Sequence, residues 1–263
     1  RAGSPACVPA LRARASCSRC VPAVRAREAG RAWVMGSVPS QVGSTAAHRP
    51  ALPHRTVPAP LPRPGPGYTA PVNGPTRIVL ASASPRRAEL LRGLGLSFSV
   101  EPADVDETVR AGEAPDALVA RLSVAKAGVV AGRHRAALII AADTTVVVDG
   151  EIINKPASDV ENAEFIARLA GRDHHVYTGH ALRLGDDAES VVVRTTVTFR
   201  PLTGDEIERY AATGEGRDKA GGYAIQGRGA ALVERIDGCY SNVVGLSLPT
   251  VVTAAARLGV TLV

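Results

Sequence analysis

From Thr76 onward the hydrophobic positions change period several times. Residues 77–82 form a short, nearly unbroken apolar run, the pattern of a strand buried on both faces. Helical spacing follows through about Arg92 and stops at Gly93 and Gly95. A short strand near 97–101 leads into an acidic loop, Asp104-Val-Asp-Glu107. Pro115 opens a helix in which Leu118, Leu122, Ala125 and Val129 recur at three- and four-residue spacing. Residues 137–142 read as a second buried strand, expected to end at Asp143. Residues 144–148 and 151–153 flank Asp149-Gly150, a hairpin-turn pair.

Asp159 is expected to cap a helix reaching about Leu169. Residues 174–184 and 190–199 predict a long hairpin around Gly185-Asp-Asp, its second arm alternating Val191, Val193, Thr195, Val197 and Phe199 on one face. Residues 205–212 are helical, 223–225 and 231–236 strand-like, and Pro249 begins a closing helix. Helices interleaved with buried-run and hairpin strands predict an α/β fold with a mixed sheet. No internal repeat is visible.

At 263 residues the chain has room for one large or two small domains. Its formal charge of +6 is unevenly placed. Residues 1–74 hold ten Arg, no Lys and one acid, Glu28, a net +9, whereas residues 75–263 hold 21 bases and 24 acids, a net −3. The basicity therefore belongs to the leader, and overall charge gives no case for nucleic-acid binding by the body. The leader, rich in Ala, Arg, Pro, Gly and Ser, is expected to be disordered. Its composition reads either as translation of an upstream GC-rich frame, with Met35 or a non-Met codon nearer Arg77 as the start, or as an Arg-rich targeting peptide. Residues 75–263 are taken as one domain. No apolar run reaches membrane-span length. Cys17 and Cys20 have metal-ligand spacing but no second pair follows, and Cys239 is alone in the body, which agrees with a reducing cytoplasm.

Candidate chemistry begins where the first strand runs through Ser82-Ala-Ser84-Pro-Arg86-Arg87 into a helix. Such a turn offers backbone N–H groups and a positive dipole end to an anion, and the hydroxyls and guanidiniums suit a polyphosphate. Alone, it reads equally as an N-capped helix with Pro85 in its first turn and two solvated arginines. Asp143 alone is as compatible with a turn or cap, Lys126 with a snorkelling surface side chain, and the glycines at 221, 222, 227 and 229 with tight bends. Their combination favours function. A metal-bound triphosphate needs cations, supplied by Arg86, Arg87, Lys126 and Lys155, and carboxylates for metal and water, supplied by Asp143, Asp106 and Glu107.

The segments SxSPRRxELL, VDET, LxxxKA, ADTxVxxxGxxxxKP, YTG, DKAGGYxIQGxG and NVVGLSL resemble, in order, those of the Maf family of nucleotide pyrophosphatases, also known as septum-formation inhibitors. The resemblance covers 77–258; Ser247 stands where the family often has Pro. It implies an elongated mixed sheet with flanking helices and a central cleft, related to inosine-triphosphatase-like enzymes. It also implies hydrolysis of a nucleoside triphosphate to monophosphate and pyrophosphate with a divalent cation, Mg²⁺ or Mn²⁺. Asp143 matches the proton acceptor, with its alternative role as metal ligand beside Glu107 left open. Ser84, Arg86, Arg87, Lys126, Lys155 and Gln226 match nucleotide-site positions. Arg86, Thr144 and Gln226 are similar to the branch acting on dTTP and UTP, where the sister branch for 7-methyl-GTP tends to carry Trp, Gln and Glu. The alternatives are a purine (7-methyl-GTP or inosine-type) pyrophosphatase and a nucleotide-binding regulator of septum formation. The expected partner is the nucleotide, with no nucleic acid or membrane, a homodimer left open, and a cytoplasmic location.

Overall fold

The computed structural model describes residues 76–263, so the expectations for the leader, including Met35 and the Cys17/Cys20 pair, lie outside the described residues. Strand β1 (Ile78–Leu80) is followed by helix α1 (Pro85–Gly93), β2 (Ser99–Val100), α2 (Pro115–Ala131) and β3 (Leu138–Val148). β1 pairs in parallel with both β2 and β3, and the two helices are the crossovers that parallel pairing requires. The chain then turns antiparallel through β4 (Glu151–Ile153), α3 (Asp159–Leu169), the hairpin of β5 (Asp173–Leu184) and β6 (Asp187–Phe199), α4 (Gly204–Ala211) and β7 (Val233–Asp237). Helices α5 (Tyr240–Val244) and α6 (Leu248–Arg257) close it. The sheet order is β2-β1-β3-β5-β6-β7, with β4 also on β3. The expected mixed sheet with flanking helices is therefore what forms.

Burial on both faces explains the apolar runs. Ile78, Leu80, Leu138 and Ile140 pack under α1 and α6, against Leu91, Val251 and Ala255. Val79, Ile139 and Ala141 point the other way, onto Ala127 and Val130 of α2. A third cluster, with Ile166, Phe199 and Tyr223, fills the antiparallel part.

Four expectations are corrected. β3 does not end at Asp143, because β5 pairs with it without a break from Ile139 to Val147. The interruption lies on the opposite edge, where β1 covers 138–140 and β4 covers 146–148, and no described strand pairs with 141–145. Ser158, whose side chain accepts from the Glu161 N–H, caps α3 in place of Asp159. Residues 223–225 are not a strand; they lie between 3-10 turns at Ala220–Gly222 and Gly227–Leu232, where positive-φ glycines redirect the chain. That second turn occupies the first part of the expected 231–236 strand, leaving β7. Among the described residues no helix is long and apolar enough to cross a membrane.

Candidate active site

The gap along β3 opens into a cavity of about 600 Å³. Ser84, Arg86 and Arg87 reach it from the β1–α1 turn and the start of α1, and Glu107 from the acidic loop. Lys126 of α2, Asp143 and Thr144 of β3, Lys155 beyond β4, and Gln226 complete the set. Nine of the residues singled out by sequence thus line one cavity. Asp106 is not among the lining residues; its carboxylate accepts from the Thr108 N–H instead.

Strand alternation places the chemistry on β3. Successive side chains of a strand face opposite ways. Asp143, in phase with Ile139 and Ala141, faces α2, while Thr144, in phase with Ile140, faces α1. On the α2 side, Lys126 is buried; its Nζ lies 2.6 Å from Asp143 Oδ1 and 2.5 Å from Glu107 Oε1. Close approach of α2 to the sheet makes this reach possible. Gly179 is the register partner of Asp143, and a Cβ there would collide with the backbone carbonyl of Val119, seven residues and two turns before Lys126. The YTG motif has this physical meaning. Burial pushes the Glu107 carboxyl up, but the hydrogen bond and charge of Lys126, with Lys155 and Arg87 behind them, hold it below the usual range.

On the α1 side, Arg87 is buried and works as a bracket. Its Nε donates to the Gly245 carbonyl (2.7 Å), Nη1 to Ser82 Oγ (2.9 Å) and Nη2 to Thr144 Oγ1 (3.0 Å). Three of its five N–H groups are thereby committed to protein. Burial lowers its pKa, and the charge of Asp143 acts against that. Thr144 Oγ1 also lies 3.0 Å from Thr178 Oγ1, which itself donates to the Asn242 carbonyl (3.1 Å). Since the Thr178 proton is used there, Thr144 must donate to Thr178 and accept from Arg87. The chain of hydrogen bonds therefore runs one way, from Arg87 through Thr144 and Thr178 to Asn242. Thr144, one of the three positions similar to the dTTP/UTP branch, has its hydroxyl committed to this chain.

At the mouth, Arg86 Nη1 donates to Asp218 Oδ2 (2.9 Å) and Lys219 Nζ to Asp218 Oδ1 (2.5 Å). Burial raises the Asp218 pKa, but these two cations outweigh it and bring it to about 2. Asp218 and Lys219, which open the DKAGGYxIQGxG segment, both line the cavity, although the sequence reading gave neither a role in the site. Ser84 precedes α1 without a side-chain cap bond, so the alternative reading of this turn as a side-chain-capped helix start is not what forms. Lys155 is exposed and forms no ion pair among the described residues. Five cations, Arg86, Arg87, Lys126, Lys155 and Lys219, thus face three carboxylates, and the balance favours an anion.

Glu107 and Asp143 converge on one ammonium, that of Lys126. Among the described residues no group of three or more His, Cys, Asp or Glu gathers to hold a metal. A pair of hard oxygen donors fits a cation of the Mg²⁺ type, which takes its other ligands from water and phosphate oxygens.

Residues 77–258 match the Maf-like protein family. A dTTP/UTP pyrophosphatase of Myxococcus xanthus is 52% identical over 187 residues, covering 71% of this chain and 95% of that protein. One from Moorella thermoacetica is 50% identical over 187 residues, covering 70% of this chain and 96% of its own. One from Deinococcus radiodurans is 46% identical over 199 residues, covering 74% and 97%. The matched stretch runs from β1 to the end of α6 and contains every residue of the cleft, and the chain belongs to the Maf-like protein family.

Proposed function

We propose that this chain hydrolyses nucleoside triphosphates to the monophosphate and pyrophosphate, with dTTP and UTP as its substrates. The observation that carries the proposal is the junction, in one cavity, of the Lys126–Asp143–Glu107 group with the cationic β1–α1 turn, in a chain about half identical to proteins named for that activity. A water oxygen attacks the α-phosphorus, the bond to the bridging oxygen breaks, and pyrophosphate leaves. Asp143 accepts the water proton: Lys126 engages Oδ1, and Oδ2 has no hydrogen bond among the described residues. Arg86, Lys155 and the uncommitted N–H groups of Arg87 neutralise the phosphates, while Ser84 and the start of α1 offer further donors. Glu107 and Asp143 would hold Mg²⁺ or Mn²⁺, which when bound supplies positive charge to the polyphosphate.

Gln226 presents an amide that donates to O4 and accepts from N3–H of uracil or thymine. Thr144 acts on selection through Arg87, whose guanidinium it orients.

The test is product analysis of the full chain with Mg²⁺ or Mn²⁺ against dTTP, UTP, CTP, GTP, ITP and 7-methyl-GTP. Pyrophosphate and monophosphate released mainly from dTTP and UTP is the expected result. Release of single phosphate would refute the reaction, and preference for a purine would refute the reading of Gln226.

A further inference from the structure

Residues 223–226 run between the two 3-10 turns and carry the side of the cavity where Gln226 sits, and no strand among the described residues pairs with them. The backbone on either side of Gln226 is held by side chains. Glu215, in the loop after α4, accepts from the Arg228 N–H through Oε1 (3.0 Å) and from the Gly229 N–H through Oε2 (2.8 Å). Tyr210 of α4 donates its hydroxyl to Glu215 Oε2 (3.0 Å), and the same hydroxyl accepts from the Ala224 N–H (3.1 Å). The two side chains therefore grip the chain two residues before Gln226 and two and three residues after it.

The fit is close. Gly227 has φ +65°, and a Cβ there would overlap Glu215 Oε1, while one at Gly229 would overlap the Ala224 carbonyl and crowd the Tyr210 hydroxyl. The Glu215 backbone carbonyl in turn accepts from Lys219 Nζ (2.5 Å), which joins the grip to the Asp218 end of the cavity. Burial raises the Glu215 carboxyl pKa, but its three donors outweigh that and keep it ionised. Neither Glu215 nor Tyr210 lines the cavity.

We propose that Glu215 is a positioning residue for nucleotide selection, its carboxylate holding the Arg228 and Gly229 N–H groups just past Gln226 and so fixing where the Gln226 amide meets the base. This rests on the reading of Gln226 as the base-contacting residue. A side-chain amide can turn over and pair with cytosine as well as uracil, so discrimination depends on its being held in place. Glu215→Gln keeps one acceptor oxygen but sets an N–H₂ against a backbone N–H, releasing one end of the grip.

The experiment measures kcat and KM of the full chain and of its Glu215→Gln, Tyr210→Phe, Gln226→Ala and Glu215→Gln/Gln226→Ala variants with UTP and CTP. Circular dichroism is recorded for each. The expected result for Glu215→Gln is a fall of about tenfold in the UTP-over-CTP ratio of kcat/KM, carried by KM. Tyr210→Phe shifts the ratio in the same direction by less, and it serves as the test if Glu215→Gln does not fold. In the Gln226→Ala background, Glu215→Gln changes the ratio no further. An unchanged ratio in folded Glu215→Gln or Tyr210→Phe, or equal falls in kcat for both nucleotides, would overturn the positioning role while leaving the pyrophosphatase reading intact. A parent chain that hydrolyses neither nucleotide would overturn both.

Discussion

Replacing Thr144 by valine tests the one-way chain of hydrogen bonds that orients Arg87. Valine keeps the branched shape and removes only the hydroxyl, which lies 3.0 Å from both Arg87 Nη2 and Thr178 Oγ1. Thr178 loses an incoming proton but still donates to Asn242, so its cost is small. Arg87 bears the main loss, because a buried charged donor is left without its acceptor. A hydrogen bond to a charged group contributes about 1.5–3 kcal/mol, and the added methyl returns less than about 1, so the net destabilisation is about 2 kcal/mol. For a folded body of this size that is a fall of about 4–8 °C in Tm. Urea and thermal unfolding measure it, with Thr144→Ser, which retains the hydroxyl, as the control. The UTP KM should rise in the valine variant and stay near the parent's in the serine variant. A loss below about 0.5 kcal/mol, or equal losses in valine and serine, would show that the hydroxyl does not hold Arg87.

Asp143→Asn should lower kcat by about 10²–10⁴-fold with an unchanged unfolding midpoint or better, read from steady-state pyrophosphate release; near-normal kcat removes Asp143 as the base. Gly179→Ala should cost about 1–3 kcal/mol in urea unfolding and lower activity, since α2 must lift and draw Lys126 from Asp143; a silent variant contradicts the close approach. Stability should also fall from pH 7 to pH 5. Burial pushes His180 down to about 4, and it is neutral in the fold, with Nδ1–H donating to the Val191 carbonyl and Nε2 accepting from the Ser247 N–H. Its unfolded value is near 6.5, so the unfolded state binds more protons between the two, and the stabilisation present above about 6.5 is lost as pH falls toward 4. His174, taken to about 3 by burial, adds the same sign, and each contributes about 2 kcal/mol of loss at pH 5. Equal urea midpoints at pH 7 and pH 5 would refute this.

Local pattern revealed the buried strand at 77–82 and the crossover helices, because burial and helical spacing are written in neighbouring residues; nine of the residues that line the cavity were singled out by their combined chemistry and by the resemblance to the Maf family. It misplaced Asp143 because the polar triplet Asp143-Thr-Thr looks like a strand end until the far partner β5 is known. Residues 223–225 looked like a strand because apolar character reports burial. The Ala224 N–H meets the Tyr210 hydroxyl, and the Glu215 carboxylate takes the N–H groups of Arg228 and Gly229 just beyond, contacts that no periodicity reveals. The commitment of Thr144 was hidden for a similar reason. Its partners Arg87 and Thr178 lie 57 and 34 residues away, and alternation alone gives the face a side chain takes but not what meets it.

Among the described residues β3 is the one strand shared by the parallel and antiparallel parts of the sheet, and the cleft lies along the middle of its edge that no strand pairs. Cutting the chain at Asp143, where the pattern suggests a boundary, would divide a single structural member and leave two fragments with half a binding surface each. The same sharing makes the two parts cooperative: neither can fray past the centre of β3 without taking the other's edge with it. A nucleotide seated there therefore braces the whole sheet, so ligand occupancy and global opening are coupled events.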